Sequence, residues 1–172
     1  MNSGMQAGTA LNIAVITVSD TRTPETDKSG DVLAERLQAA GHTLYQRCII
    51  RDDVYQLRAE VSAKIADPQV QAVLLTGGTG FTARDNTLDA IKPLFDDEIE
   101  GFGELFRHLS FAEIGTSTIQ SRVFAGLANG TIIFCLPGSP GACRTGWDLI
   151  IADQLDSNHK PCNFVDKLHF AQ

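Results

Sequence analysis

Apolar residues along this chain cluster in short runs separated by helix-period segments. Leu11–Ser19 is near-continuously apolar, the pattern of a strand covered on both faces. A polar loop over Asp20–Ser29 follows. Gly30 opens a predicted helix with Leu33, Leu37 and Ala40 inward, and Gly41 is its stop. His42–Ile50 reads as a second strand. Asp52 and Asp53 cap a helix with Val54, Leu57, Val61 and Ile65 on one side and Pro68 at its exit. Val70–Leu75 is a third strand, and Thr87–Phe95 a helix with Leu88, Ile91, Leu94 and Phe95 inward. Farther on, Gly101–Ser110 carries Phe102, Leu105, Phe106 and Leu109 at helical spacing, while Ser117–Ala128 is ambiguous and mostly helix-compatible. Thr131–Leu136 is a buried strand broken by Pro137–Pro140, and a last amphipathic helix over Gly141–Leu155 turns Cys143, Trp147, Ile150 and Ile151 inward. This alternation predicts a three-layer α/β/α domain with a mainly parallel sheet over residues 11–172, behind a flexible segment, 1–10.

In such sheets ligands sit beyond the carboxyl ends of the strands. Those exits carry Ser19-Asp20 with the Asp20–Ser29 loop, Asp52-Asp53, Thr76–Asp85 and Pro137–Pro140. The third exit, TGGTGFTARD, is the most informative. Glycines let backbone N–H groups approach phosphate oxygens, and the helix that follows adds partial positive charge. Arg84 and Asp85 then supply a cation and a carboxylate, which suits a phosphate–metal site. No lysine follows as a Walker A loop requires. Gly78-Thr-Gly80-Phe-Thr-Ala83 fits the loose dinucleotide fingerprint, yet the ribose-binding acid expected about 20 residues on would fall in Phe95–Glu100, which reads as a helix end and turn. A plain strand–helix turn is the alternative for the loop. Asp52 and Asp85 each also read as helix caps, and Pro137–Pro140 as a simple turn.

Composition narrows the classes. A chain of 172 residues suits one substantial core. A formal charge of −7 with no Lys/Arg block argues against nucleic acid as the main partner. Leu11–Val18 is too short and lacks the basic flank of a signal peptide, and no segment reaches transmembrane length, so a cytoplasmic location is expected and no membrane partner. The four cysteines, Cys48, Cys135, Cys143 and Cys162, form no C-x-x-C pair and no zinc-like spacing with histidine. Each histidine reads as surface or structural.

Taken in order, several strings resemble the molybdenum-cofactor biosynthesis family that contains molybdopterin adenylyltransferase. They are Thr17–Asp20 with Thr21-Arg22 and Asp27–Gly30; Thr76–Gly80 with Arg84, Asp85 and Thr87; Glu100–Glu104, Phe106-Arg107, Ser121-Arg122, Ala125-Gly126 and Leu136–Ser139. The resemblance spans nearly the whole chain, and Phe106–Arg122 points to one branch of the family. It implies joining of molybdopterin to the AMP portion of ATP with Mg²⁺, with no tightly bound cofactor. By the same resemblance Asp52 and Asp85 are the catalytic and metal-binding aspartates. Substrate or nucleotide binding falls to Ser19, Asp20, Arg22, Ser29, Gly30, Thr76, Gly77, Gly78, Thr79, Gly80, Arg84, Thr87, Ser121, Arg122, Pro137, Gly138 and Ser139. Two positions depart from the family's usual pattern: Arg51 precedes Asp52 where proline is common, and Leu88-Asp89 follow Thr87 where Pro-Glu is. Some members of the branch lack transferase activity, so a binding protein of the same fold stays open, and a dinucleotide-dependent oxidoreductase more distantly. Family members form trimers, and in this branch two trimers pair into a hexamer. The apolar cluster around Gly101–Phe111 would serve such an interface or the core.

Overall fold

The computed structural model describes residues 7–171; much of the segment expected to be flexible, 1–6, lies outside them. The strands are β1 (Asn12–Val18), β2 (Thr43–Ile50), β3 (Ala72–Thr76), β4 (Asp97–Glu98), β5 (Phe124–Ala128) and β6 (Thr131–Leu136). They form one mixed sheet in the order β2-β1-β3-β6-β5-β4. The first four in that order are parallel; β5 is antiparallel to β6, and β4 to β5. The helices are α1 (Lys28–Ala39), α2 (Val54–Ala66), α3 (Thr87–Ile91), α4 (Glu100–Ile114), α5 (Pro140–Gly146) and α6 (Ala152–Gln154), the last two joined by a π-helical stretch, Trp147–Ile151.

Alternation along the strands assigns side chains to two separate cores. Ile13, Val15, Leu74 and Phe134 pack with Leu33 and Leu37 of α1, Phe102 and Phe106 of α4, and Trp147. Their neighbours Ala14, Ile16, Val73, Leu75, Ile133 and Cys135 pack on the other face with Leu57 and Val61 of α2 and Ala90 and Ile91 of α3. The three-layer α/β/α arrangement with a mainly parallel sheet is therefore the observed fold.

Several local expectations need correction. Ser117–Ala128 is not helical as a whole: a 3₁₀ stretch, Gly115–Gln120, gives way to β5. The reason is a two-residue hairpin turn, with Asn129 at φ 50° and Gly130 at φ 73°, the primed geometry that Asn-Gly favours. Phe95–Glu100 contains the short edge strand β4 rather than a helix end and turn. Phe95 packs over Gly126 of β5, where any Cβ would collide with its ring. Helix α1 begins at Lys28, ahead of Gly30, because Asp27 caps it, and Ala40 is its exposed C-cap rather than an inward residue. Helix α3 ends at Ile91 and tightens into a 3₁₀ turn, Lys92–Leu94. The apolar cluster divides: Phe102 and Phe106 are core, whereas Leu105 and Phe111 are 43% and 58% exposed. All four cysteines are free. No helix among the described residues is long and apolar enough to cross a membrane.

Candidate active site

The exits of β1, β2, β3 and β6 meet on one rim. At the β2 exit, Asp53 caps α2 by accepting from Tyr55 N and Gln56 N at 3.0 and 2.9 Å. Asp52 is thereby left free of the capping role. It is buried, 7% exposed, and its Oδ1 accepts from Asn86 N at 2.9 Å while the Asn86 amide donates to the Asp52 carbonyl at 3.1 Å. Burial pushes the Asp52 carboxyl above its ordinary pKa; the Asn86 hydrogen bonds oppose this, and the charges of Asp85 and Asp20 reinforce it. A carboxylate short of positive charge in this way is suited to a hard divalent cation.

The glycine loop after β3 is shaped around that carboxylate. Gly77 and Gly78 take φ of 107° and 65°, a region that costs other residues about 1–2 kcal/mol. A Cβ on Gly77 would strike the Val18 carbonyl, and one on Gly78 would strike Thr87 Oγ1 and lie 2.8 Å from Asp52 Oδ2. Thr87, wholly buried, braces the turn by donating Oγ1 to the Gly77 carbonyl at 2.9 Å and its amide to the Gly78 carbonyl at 3.1 Å. Thr76 Oγ1 donates to the Pro137 carbonyl at 2.7 Å, tying this loop to the β6 exit.

Asp85 is not a helix cap either. Its Oδ2 accepts from Thr82 N and Thr82 Oγ1 at 2.9 and 2.6 Å, and it lies against Gly80, where a Cβ would approach it to 2.8 Å. Burial opposes its ionisation, but the Thr82 and Gly80 hydrogen bonds and the Arg122 charge outweigh that and lower its pKa. Arg122 closes the loop from the side, donating to the carbonyls of Gly80 and Asp85, with its own amide on the Thr79 carbonyl at 3.1 Å and its guanidinium over the Phe81 ring.

Between these walls lies a cleft of about 420 Å³, where Gly77–Gly80, Asp85, Ser121, Pro137 and Gly138 meet. Ser121 Oγ and Arg122 Nε, both buried, have no hydrogen-bond partner among the described residues. Buried polar atoms without partners are uncommon in folded proteins, and each calls for a water, an ion or a ligand to complete it.

The remaining residues singled out from sequence divide by role. Asp20 pairs with Arg84, whose Nε donates to Asp20 Oδ2 at 3.0 Å, and Asp20 Oδ1 accepts from Asp52 N at 3.2 Å. Ser19 Oγ accepts from Arg22 N at 3.0 Å, and Ser29 Oγ donates to the Gly138 carbonyl at 2.9 Å, so both hold loops of the rim. Ser139 caps α5. Gly30 lies beneath the rim: its amide bonds Asp27 Oδ1 at 3.0 Å, and a Cβ there would collide with that carboxylate. Asn86, Thr82 and Arg47, whose half-buried guanidinium pairs with the buried Asp27 at 2.8 Å, were not singled out from sequence. The spacing Thr82-x-x-Asp85 is a local hydroxyl–carboxylate signal that could have found Thr82.

A glycine-walled cleft with two flanking aspartates thus lies at the strand exits of a doubly covered, mainly parallel sheet, an arrangement suited to phosphate-bearing ligands. Residues 14–157 match the family model described as a probable molybdopterin binding domain. The chain is 56% identical over 152 residues to molybdenum cofactor biosynthesis protein B of Escherichia coli strain K12, covering 88% of this chain and 89% of that one. It is 46% identical over 151 residues to the protein of that name from Bacillus subtilis strain 168, with coverage of 87% and 89%. A crystal structure of molybdenum cofactor biosynthesis protein B superposes with a TM-score of 0.84 at 43% identity, covering 87% of this chain and 94% of that one. The chain belongs to the molybdopterin-binding-domain family and stands within it among the proteins of molybdenum cofactor biosynthesis.

Proposed function

We propose that this protein binds molybdopterin and adenylylates it with Mg-ATP. An oxygen of the pterin's terminal phosphate bonds to the α-phosphorus of ATP, and the α–β bridging P–O bond breaks with its electron pair leaving on pyrophosphate. The observation that carries the reading is the cleft in which the Gly77–Gly80 backbone, Asp85 and the partnerless Ser121 hydroxyl converge, with Asp52 buried behind Gly78. Two anionic groups must approach each other, so the site has to supply donors and positive charge placed in advance. Backbone donors of the loop suit phosphate oxygens, and Ser121 has a hydroxyl free for the pterin.

The residues fit the magnesium that would accompany the nucleotide: Asp52 Oδ2 accepts no hydrogen bond among the described residues, and both aspartates are hard oxygen donors of the kind that share Mg²⁺ with substrate phosphates. Bound there, it would neutralise charge on the phosphates. Asp52 and Asp85 would hold it, Asn86 and Thr82 would fix those carboxylates, and Gly78 leaves room for Asp52. The same reading expects the protein in the cytoplasm and gives it further copies of itself as partners, in a trimer or a pair of trimers. Leu105, Phe111, Ile114 and Ile119, between 43% and 72% exposed, are the apolar surface for that assembly.

Incubation with Mg-ATP and molybdopterin, followed by chromatography of the pterin, tests the proposal. Adenylylated molybdopterin and one pyrophosphate per turnover are expected. Retention of the pterin without product would leave a binding protein of the same fold. The oxidoreductase alternative needs an acid at the end of the strand after the loop. The strand that follows is β4, whose Asp97 and Glu98 are acidic but lie on an antiparallel strand at the far edge of the sheet, separated from β3 by β6 and β5 and not beside it as that reading requires. Titration with nicotinamide cofactors should therefore show no binding.

A further inference from the structure

A second, larger cleft of about 610 Å³ opens on the α1 side of the rim, between the loop that follows β1 and the end of β2. Arg22, Arg47 and Arg51 face it, with Pro24, Cys48 and Ile49 along its floor. Its charges are unequally engaged. Arg47 is spent on Asp27 Oδ2 at 2.8 Å and Asp31 Oδ1 at 2.9 Å. Asp20, the carboxylate between this cleft and the glycine loop, is spent on Arg84 and on the Asp52 amide. Both cleft carboxylates, Asp20 and Asp27, are thus already neutralised. By contrast, the Arg22 guanidinium has one long contact, 3.4 Å to the Thr26 carbonyl, and the Arg51 guanidinium makes no hydrogen bond or ion pair among the described residues, its charge acting on Asp20 only from beyond pairing distance. In a chain of net charge −7, two unspent guanidinium groups lining one cleft, Arg22 from the loop after β1 and Arg51 from the β2 exit, are a local excess of positive charge.

We infer that this cleft is an oligophosphate subsite, in which Arg22 and Arg51 hold the phosphates of ATP distal to the reacting one and then the departing pyrophosphate. Guanidinium groups bind such oxygens through paired, charge-assisted hydrogen bonds. The position agrees with that role, because Arg51 immediately precedes Asp52, and Ser19 and Asp20 border the cleft on the side of the glycine loop. A nucleotide with its α-phosphate between Asp52 and Asp85 can extend its tail past Asp20 onto the two arginines. The inference rests on the proposed transfer for its place in the reaction; the binding it asserts stands apart from turnover.

Titration calorimetry with Mg-tripolyphosphate as the probe tests it, alongside AMP. Tripolyphosphate should bind the unmodified protein. Arg22→Gln and Arg51→Gln should each weaken it about five- to tenfold, and the double variant at least about 30-fold, as expected for charge-assisted contacts, with AMP affinity unchanged. Lys160→Gln, which removes the same charge from an exposed loop remote from the rim, should leave both ligands unaffected. Tripolyphosphate that fails to bind the unmodified protein, or that binds the double variant equally well, would overturn the subsite even if adenylylation occurs. Arginine-dependent tripolyphosphate binding without any adenylylated product would uphold the subsite while the proposed transfer fails.

Discussion

Alanine at Gly78 and at Gly80 should separate the loop's folding role from its chemical one. At Gly78 the backbone φ is 65°, and the added Cβ meets Thr87 Oγ1 as well as Asp52 Oδ2. The left-handed backbone costs about 1–2 kcal/mol with a side chain present. Moving the Thr87 hydroxyl off the Gly77 carbonyl strands a buried acceptor, for about 1–3 kcal/mol more. A total of about 2–5 kcal/mol is a large share of the about 5–15 kcal/mol that stabilises a domain. Gly80 is different: its φ is not positive, and the three atoms nearest its Cβ would all belong to the Asp85 carboxylate, the end of a side chain and not backbone. Gly80→Ala should cost under about 1 kcal/mol of stability, yet displacing that carboxylate from Thr82 should slow transfer about 10²-fold, the scale for a reacting group misplaced by about 1 Å. Urea unfolding and the pterin-adenylylation assay, run on both variants, measure the two quantities. Gly78→Ala unfolding at the wild-type urea midpoint, or Gly80→Ala losing as much stability as Gly78→Ala, would refute the reasoning.

Asp85→Asn should keep the fold and lower transfer by at least about 10²-fold, the scale for one electrostatic stabiliser; near-normal turnover removes Asp85 from catalysis. Because the folded Asp85 pKa lies below its unfolded value, its stabilisation is present above the unfolded pKa of about 3.9 and is lost as pH falls through the folded value. Unfolding followed across that acid range should be flatter in Asp85→Asn than in wild type. Asp52 has the opposite sign: its raised pKa is a cost at neutral pH that acid relieves, so Asp52→Asn should abolish Mg-ATP binding without lowering stability at pH 7, checked by thermal unfolding with and without Mg-ATP. Ser121→Ala should weaken pterin binding more than ATP binding, and calorimetry that shows equal losses would point to general damage. Light scattering should report a trimer or hexamer that Leu105→Asp dissociates while remaining folded; a micromolar monomer in wild type would exclude the assembly.

The fold was most legible where one physical signal stood alone. Ile13–Val18 and Thr131–Leu136 are buried on both faces, so their near-continuous apolar runs announce parallel core strands. Phe124–Ala128 was harder because Ala125 and Gly126 are poor strand formers; Gly126 is there to admit the Phe95 ring, a long-range reason invisible to local propensity. The decisive local cue was Asn129-Gly130, whose primed turn folds β5 back onto β6 and excludes a helix across Ser117–Ala128. β4 escaped because two exposed residues, Asp97 and Glu98, carry no hydrophobic period at all.

At the rim, sequence could name the chemical groups but not divide the labour among them. Asp52 and Asp53 are identical in type and adjacent, so residue preference assigns the helix cap equally to either. Only the path of the chain decides: Asp53 faces the amides of Tyr55 and Gln56, which leaves Asp52 to reach Asn86 on a loop 34 positions away. The same logic sorts the threonines and arginines. Thr76 and Thr87 carry the right hydroxyls for a phosphate but spend them on the Pro137 and Gly77 carbonyls. Arg84 and Arg47 spend their charge on Asp20 and Asp27. On the proposed reading, binding on this rim draws on what the internal hydrogen bonds leave over: the Ser121 hydroxyl, the outer oxygen of Asp52, and the guanidinium groups of Arg22 and Arg51. A side chain's type makes it a candidate, and the absence of an internal partner makes it available to a ligand.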